Sequence, residues 1–166
     1  VRVPWIVAEL DADTWEENAR HGATILRRLE ERGADLSSVL VAYSGNKSVH
    51  VRIPDGVLGC RIYRDTDTAR RRVETFFRRL LKGDPEVIDA LDFGVCSPQR
   101  TIRAIGSTHP DTGRHTVATD GRTFLEKPRY YLRALSEGEY TPPEDYPLPR
   151  RAPFCEALSA LLEPAD

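Results

Sequence analysis

The chain has 166 residues, of which 40% are hydrophobic and 30% charged, with a formal net charge of −2. That length and apolar content suit one compact domain around a single core. The near-neutral balance excludes a globally basic surface, so any nucleic-acid binding must rest on local clusters, and no stretch approaches a membrane span or resembles a signal peptide.

The three cysteines, Cys60, Cys96 and Cys155, lie far apart and form no CxxC pair. A disulfide framework and a zinc knuckle are both unsupported, and reduced thiols of a cytoplasmic protein are expected. Met is absent and Val1 runs almost directly into an apolar stretch, so a fragment of a longer protein is expected.

Residues 5–11 read as a strand, with Ile6, Ala8 and Leu10 on one face and Val7, Glu9 and Asp11 on the other. Thr14 then caps a helix in which Trp15, Ala19, Ile25, Leu26 and Leu29 recur at helical spacing, and Gly33 stops it. Strands at 39–43 and 49–53 flank a polar turn, Ser44 to Ser48, and form a hairpin. A helix follows over 67–81, with Asp67 as its N-cap and Ala69, Val73, Phe76, Phe77 and Leu80 facing inward. Its other side carries Arg70, Arg71, Arg72, Arg78, Arg79 and Lys82. Residues 101–105 read as a short strand, 106–113 as a turn and 115–119 as the returning strand. A helix opens near 130–135, and 137–153 is an irregular connection holding several prolines. A short helix over 153–162 closes the chain. The class is mixed α/β, of α+β type, with a largely antiparallel sheet. The core spans 1–136, and 137–166 is an appended connection and helix.

Three segments carry chemistry. Glu9-Leu-Asp11-Ala-Asp13 closes the first strand, and alternation puts Glu9 and Asp11 on one side. Like charges that close repel unless a cation sits between them, and hard oxygen donors suit Mg²⁺ or Mn²⁺. Ser44-Gly-Asn-Lys-Ser-Val-His50 is a small-residue turn whose N–H groups, hydroxyls and Lys47 suit phosphate oxygens. The third segment runs from Asp92 through Arg100 and Arg103 to Ser107 and His109, a set that can grip a triphosphate. Each segment alone also reads as ordinary structure: a charged strand end, a hairpin turn with a solvated lysine, an exposed arginine-bearing strand.

In this order the three segments resemble motifs I, II and III of the archaeo-eukaryotic primase superfamily. The resemblance covers about residues 5–113, and the Ser-Gly-x-x-Ser-x-His turn is its most specific part. It implies an RRM-like catalytic sheet flanked by helices. It implies Glu9, Asp11 and Asp92 as catalytic ligands of Mg²⁺ or Mn²⁺, with Asp11 and Asp13 as an alternative Asp-x-Asp register. Ser44, Lys47, Ser48 and His50 would contact nucleotide phosphates, completed by Arg100, Arg103, Ser107 and His109. The family usually has Asp where Glu9 falls, some relatives have Gly at Ser48, and some have Lys at His109.

The implied activity is that of a DNA-directed primase or polymerase. It would add nucleoside triphosphates to a 3′-hydroxyl on a DNA template, with fused or associated helicase modules as possible partners. A non-catalytic nucleic-acid-binding or replication-initiation module is the first alternative, and a metal-dependent nuclease or phosphohydrolase the second. The basic side of the 67–81 helix reads as a solvated face; the functional reading is a grip on template phosphates without regard to sequence.

Overall fold

The computed structural model describes residues 2–3, 5–59, 62–63, 67–96, 103–127, 130–141 and 152–162. The chain begins with β1 (Arg2–Val3) and β2 (Trp5–Leu10), then α1 (Trp15–Glu31), β3 (Leu40–Tyr43) and β4 (Val49–Pro54). After β5 (Ile62–Tyr63) come α2 (Asp67–Leu80) and α3 (Pro85–Asp89), then β6 (Val117–Asp120), α4 (Gly121–Glu126), α5 (Tyr131–Glu137) and α6 (Glu156–Ser159). The protein is thus an α+β structure built on an antiparallel sheet of four strands in the order β2-β4-β3-β6, with β1 and β5 paired separately.

The sheet is a consequence of alternation. Ile6, Ala8 and Leu10 of β2 share the buried face with Val49, Val51 and Ile53 of β4, Val41 and Tyr43 of β3, and Val117 of β6. A one-residue slip would turn all of these to the other side. The apolar stripes of α1 and α2 cover this face, through Trp15, Ala19, Ile25, Leu26 and Leu29, and through Val73, Phe76, Phe77 and Leu80. Because β4 pairs with both β2 and β3, β2 and β3 run parallel with α1 between them and β4 inserted. This is a split β-α-β unit. The opposite face carries a smaller cluster of Leu40, Ala42 and Ala118, with Trp5 and Ile105 packed on it.

Local signals account for the ends of α1. Thr14 is extended, and its hydroxyl accepts from Glu17 N at 3.2 Å. At the other end Gly33 takes φ 91°, the left-handed conformation that releases the chain. Gly22 faces the sheet, and a Cβ there would sit in ordinary contact, 3.4 Å from Val49 Cγ1 and 3.7 Å from Leu10 Cδ1.

Several expectations are corrected. Residues 103–105 form no strand, and residues 101 and 102 lie outside the described residues. The 115–119 segment forms β6 from Val117, and pairs with β3 instead of returning on 101–105. The two arms of that turn are joined near its tip, by a bridge of Thr108 with His115 and by backbone bonds from Gly106 N to Thr116 O, Thr116 N to Ser107 O and His109 N to Arg114 O. The sheet wins because β3 offers a full free edge, while the arginine-bearing arm has little apolar surface to bury. The closing helix is shorter than expected, Glu156–Ser159. It still belongs to the main core: Leu158 is buried there, and Cys155 N donates to Val57 O at 2.8 Å. Cys155 is a free thiol whose Sγ donates to the Arg32 carbonyl at 3.2 Å. α4 was not apparent in sequence, although Asp120 caps it by accepting from Thr123 N at 2.9 Å.

Arg28 joins α1 to the turn after α2. Its Nε donates to Asp84 Oδ2 at 2.8 Å and its Nη2 to Asp84 Oδ1 at 3.2 Å. These bonds hold the Asp84 carboxyl below the usual carboxylate range. A depressed carboxylate contributes stability above its unfolded value, about 3.9, and loses it as pH falls through the lower folded value. Asp84→Asn should therefore lower the thermal midpoint by about 2–4 °C at neutral pH. The difference from wild type should shrink below about pH 4. Parallel pH curves in a thermal denaturation series would contradict this.

Candidate functional site

The acidic end of β2 is paired on both sides. On one side Glu9 stands opposite His50 in the β2–β4 register. His50 Nε2 lies 3.7 Å from Glu9 Oε1, and the two side chains are only 8% and 13% exposed. That is an electrostatic contact, longer than a hydrogen bond. On the other side the segment after α3 runs along the strand end. Leu10 and Leu91 form an antiparallel bridge. Asp11 N donates to Ala90 O and Asp92 N donates to Glu9 O, both at 2.9 Å. Glu9, Asp11 and Asp92 therefore stand on directly paired stretches of backbone. Asp13 is exposed, beyond the paired stretch.

The Ser44–His50 turn meets this acidic end at Asp11. Ser48 Oγ donates to Asp11 Oδ1 at 2.9 Å. Lys47 Nζ lies 3.3 Å from the same oxygen and donates to the Asp11 carbonyl at 3.4 Å. Asp92 takes a different partner, with Oδ1 accepting from Gly94 N at 2.8 Å.

The turn itself is closed by Ser44 N donating to Ser48 O at 3.0 Å. Its positive φ, 92°, falls on Gly45, and among the described residues no residue other than glycine has a positive φ. Ser48 is therefore unstrained, and its side chain is free to bond Asp11. Tyr43, buried and edge-on to Trp15 at 4.9 Å between ring centroids, donates its hydroxyl to the Asn46 carbonyl. Burial holds that phenol above its ordinary value.

The loop before β6 is stitched onto the turn. Thr116 Oγ1 donates to Ser44 O at 3.2 Å, and Thr112 Oγ1 to Gly45 O at 2.7 Å. This brings His109 beside Gly45. The ring is buried, and its Nδ1 accepts from Asp111 N at 3.2 Å. A ring nitrogen that accepts carries no proton, so the neutral ring keeps its proton on Nε2 as a donor. Ser107 Oγ is spent internally, donating to Ala104 O at 2.7 Å. The Arg103 carbonyl accepts from Arg52 Nη2 at 3.4 Å. Arg52 is two residues from His50 on the same face of β4, so the Arg103 backbone lies over the His50 side of the sheet. Arg100 lies outside the described residues.

Of the residues singled out in the sequence, Glu9, Asp11 and Asp92 stand on paired backbone, Ser48, Lys47 and His50 contact those acids, and Ser44 and His109 lie in the turn and the loop packed on it; Asp13, Arg103 and Ser107 make none of these contacts, and Arg100 lies outside the described residues. Sequence reasoning missed Asn18, Thr112 and Thr116, which hold the loops together. Asn18 had a signal, being a polar residue inside the apolar stripe of α1. The two threonines had none, because their role depends on a turn far away in sequence.

The basic side of α2 is partly committed to structure. Arg78 donates to Glu74 Oε1 at 2.9 and 3.1 Å and lies 5.6 Å above the Phe93 ring. Arg79 Nη1 donates to the Leu161 carbonyl at 3.1 Å. Arg70, Arg71 and Lys82 are exposed.

Glu9, Asp11 and Asp92 stand on adjoining backbone, and carboxylate oxygens are the hard donors that suit Mg²⁺ or Mn²⁺. Asp11, however, is turned to Lys47 and Ser48. Among the described residues no group of three or more His, Cys, Asp or Glu side chains is gathered closely enough to hold a metal ion. Among the same residues, no helix is long and apolar enough to cross a membrane. None of the protein-family models, curated proteins or solved structures compared with this chain matches it.

Gly45 fixes the turn in two ways. A Cβ there would lie 2.9 Å from Arg114 O and 3.1 Å from His109 Cβ. Gly113, at φ 70°, has nothing within 4 Å of its Cβ position. Gly113→Ala should cost about 1–2 kcal/mol for its left-handed backbone alone. Gly45→Ala should cost clearly more, because the His109 loop must also move. Equal losses in urea titrations of the two variants would contradict the close packing of turn and loop.

Proposed function

We propose that this chain is the nucleotide-binding and catalytic core of a metal-dependent nucleotidyltransferase, a primase-polymerase of the archaeo-eukaryotic primase kind. The observation that carries the reading is the pairing of residues 90–92 with the end of β2. It brings Asp92 alongside Glu9 and Asp11, while the turn after β3 bonds to Asp11 from the other side. The split β-α-β unit supports an RRM-like sheet. A sheet of β-α-β-β-α-β type puts its fourth strand beside its first. Here residues 90–92, which follow α2 and α3, take that place as a single bridge, and β6 is an addition on the outer edge of β3.

Glu9, Asp11 and Asp92 would hold the divalent cation, which when bound neutralises the acids and polarises phosphate oxygens. The rest falls to the chain's own groups. Lys47 balances Asp11 in the ligand-free protein, and its flexible stem exchanges that partner for a phosphate oxygen. The hydroxyls of Ser44 and Ser48, the His50 ring, the His109 Nε2 proton, Arg100 and Arg103 bind and orient the triphosphate. Ser107, whose hydroxyl is bonded within its own turn, serves to shape the His109 loop. A primer 3′-hydroxyl then attacks the α-phosphate and pyrophosphate leaves. Positioning and electrostatics carry the rate, with no covalent protein intermediate. The partners are nucleoside triphosphates and a DNA template, in the cytoplasm, with helicase modules fused or associated.

The Lys47–Asp11 ion pair favours a second reading, a nucleic-acid-binding module in which lysine has replaced the metal. Primer extension with Mg²⁺ or Mn²⁺ separates the two, and separates both from a nuclease. The wild type should extend a primer, and Asp11→Ala or Asp92→Ala should abolish extension while leaving the fold intact. Ser48→Ala and His50→Ala should each raise the nucleotide KM by about tenfold, the loss of one charge-assisted hydrogen bond. Degradation of the primer would favour a nuclease. Binding without extension would favour the module, and wild-type extension by Asp11→Ala would remove the metal assignment.

A further inference from the structure

Asn18 lies on the inner side of α1 and is fully buried. Its neighbours along the stripe are Trp15, Ala19, Gly22 and Ile25, also buried. An apolar residue is the default at such a position, and a buried amide is costly unless its hydrogen bonds are made. Asn18 makes three. Its Oδ1 accepts from Ala12 N at 2.8 Å, and its Nδ2 donates to Ala12 O at 3.2 Å and to Lys47 O at 2.9 Å. Both amide hydrogens are used, and every partner is backbone.

The partners decide what this residue does. Ala12 is the residue between Asp11 and Asp13, just past the end of β2. Lys47 lies in the turn between β3 and β4 and precedes Ser48, which bonds Asp11. One planar amide thus grips the acidic end of β2 and the phosphate-type turn together. We propose that Asn18 is a positioning residue, which sets the spacing between the Asp11 carboxylate and the Ser44–His50 turn. This rests on the function proposed above in assigning catalytic meaning to the spacing, though the clamp itself does not depend on that function. Ala, Ser or Leu cannot replace it, because none offers both a donor and an acceptor in one plane at that reach.

The experiment compares Asn18→Ala with Leu29→Ala. Leu29 is buried at the far end of the same helix, so its truncation destabilises the fold without touching either loop. Amide hydrogen exchange is followed by NMR well below both thermal midpoints. In Asn18→Ala the amides of Ala12 and of Ser44, which closes the turn, should lose protection by at least about tenfold. In Leu29→Ala they should stay as in wild type relative to the rest of α1. Asn18→Asp keeps the acceptor for Ala12 N but loses the donors to Lys47 O and to Ala12 O, so it should release the turn while the Ala12 amide itself stays bonded and protected. Should Asn18→Ala not fold, this isosteric variant decides the point. Unchanged protection of the turn in Asn18→Asp overturns the clamp.

Primer extension then reads the consequence. A displacement of the order of 1 Å costs about 100-fold in rate, so kcat should fall by roughly 10- to 100-fold in Asn18→Asp and not in Leu29→Ala. Wild-type kcat in Asn18→Asp with a released turn overturns the positioning role. A wild-type protein that neither extends a primer nor binds nucleotide overturns the function proposed above and with it the catalytic meaning of the spacing, and the exchange data still decide the clamp.

Discussion

The end of β2 has a backbone partner on each side, β4 on one and residues 90–92 on the other. A strand end left at an edge would fray and expose unpaired N–H and C=O groups. Here Glu9 O, Asp11 N and their partners are satisfied by the segment after α3. The acidic group stands on a rigid platform because of that pairing. The placement of α2 and α3 follows from it too: they must return the chain to the right height beside β2. Arg28, reaching from α1 to Asp84, fixes where that return begins.

Three carboxylates stand on adjoining backbone, and the fold gives each of them a partner. His50 faces Glu9 across the strands, Lys47 and Ser48 face Asp11, and Gly94 N–H faces Asp92. The second segment of the chain therefore supplies most of these partners, through Ser48, Lys47 and His50. On the function proposed above, the same groups would be the donors that a triphosphate needs. An arrangement of this kind couples the two loops, since a change of partner at Asp11 frees Lys47 and Ser48 at once. The loop before β6 adds a third layer, because Thr112 and Thr116 bond the carbonyls of Gly45 and Ser44 and bring His109 to the same end.

Much of this was legible in the sequence where a local rule operates. Alternation fixed the faces of β2, the polar turn between two apolar runs marked the β3–β4 hairpin, helical spacing fixed the buried side of α1 and α2, and Thr14 and Gly33 marked the ends of α1. The Ser44–His50 turn was readable because small residues, one lysine and flanking strands coincide there. What was not legible depends on long-range competition. β6 pairs with β3 and not with the arm preceding it, and no short window of sequence records that choice. The bridge at Leu91 is a single residue pair, too brief for a periodicity. Asn18 was visible only as an anomaly, a polar side chain in an apolar stripe, and its partners could not be guessed without the fold. On the basic face of α2 the sequence did not show that Arg78 and Arg79 have structural partners, Glu74, Phe93 and a carbonyl of the C-terminal segment.

The central claim is that Glu9, Asp11 and Asp92 form one cation site facing the phosphate-type turn. Crystals grown with Mn²⁺ and a non-hydrolysable nucleoside triphosphate test it most directly, because manganese is located by its anomalous scattering without reference to activity. The account predicts an anomalous peak within direct coordination distance of oxygens from these three residues. It also predicts a triphosphate lying against Ser44, Ser48 and His109, with Lys47 moved from Asp11 to a phosphate oxygen. A peak elsewhere, or none at saturating nucleotide with Lys47 still on Asp11, would contradict it.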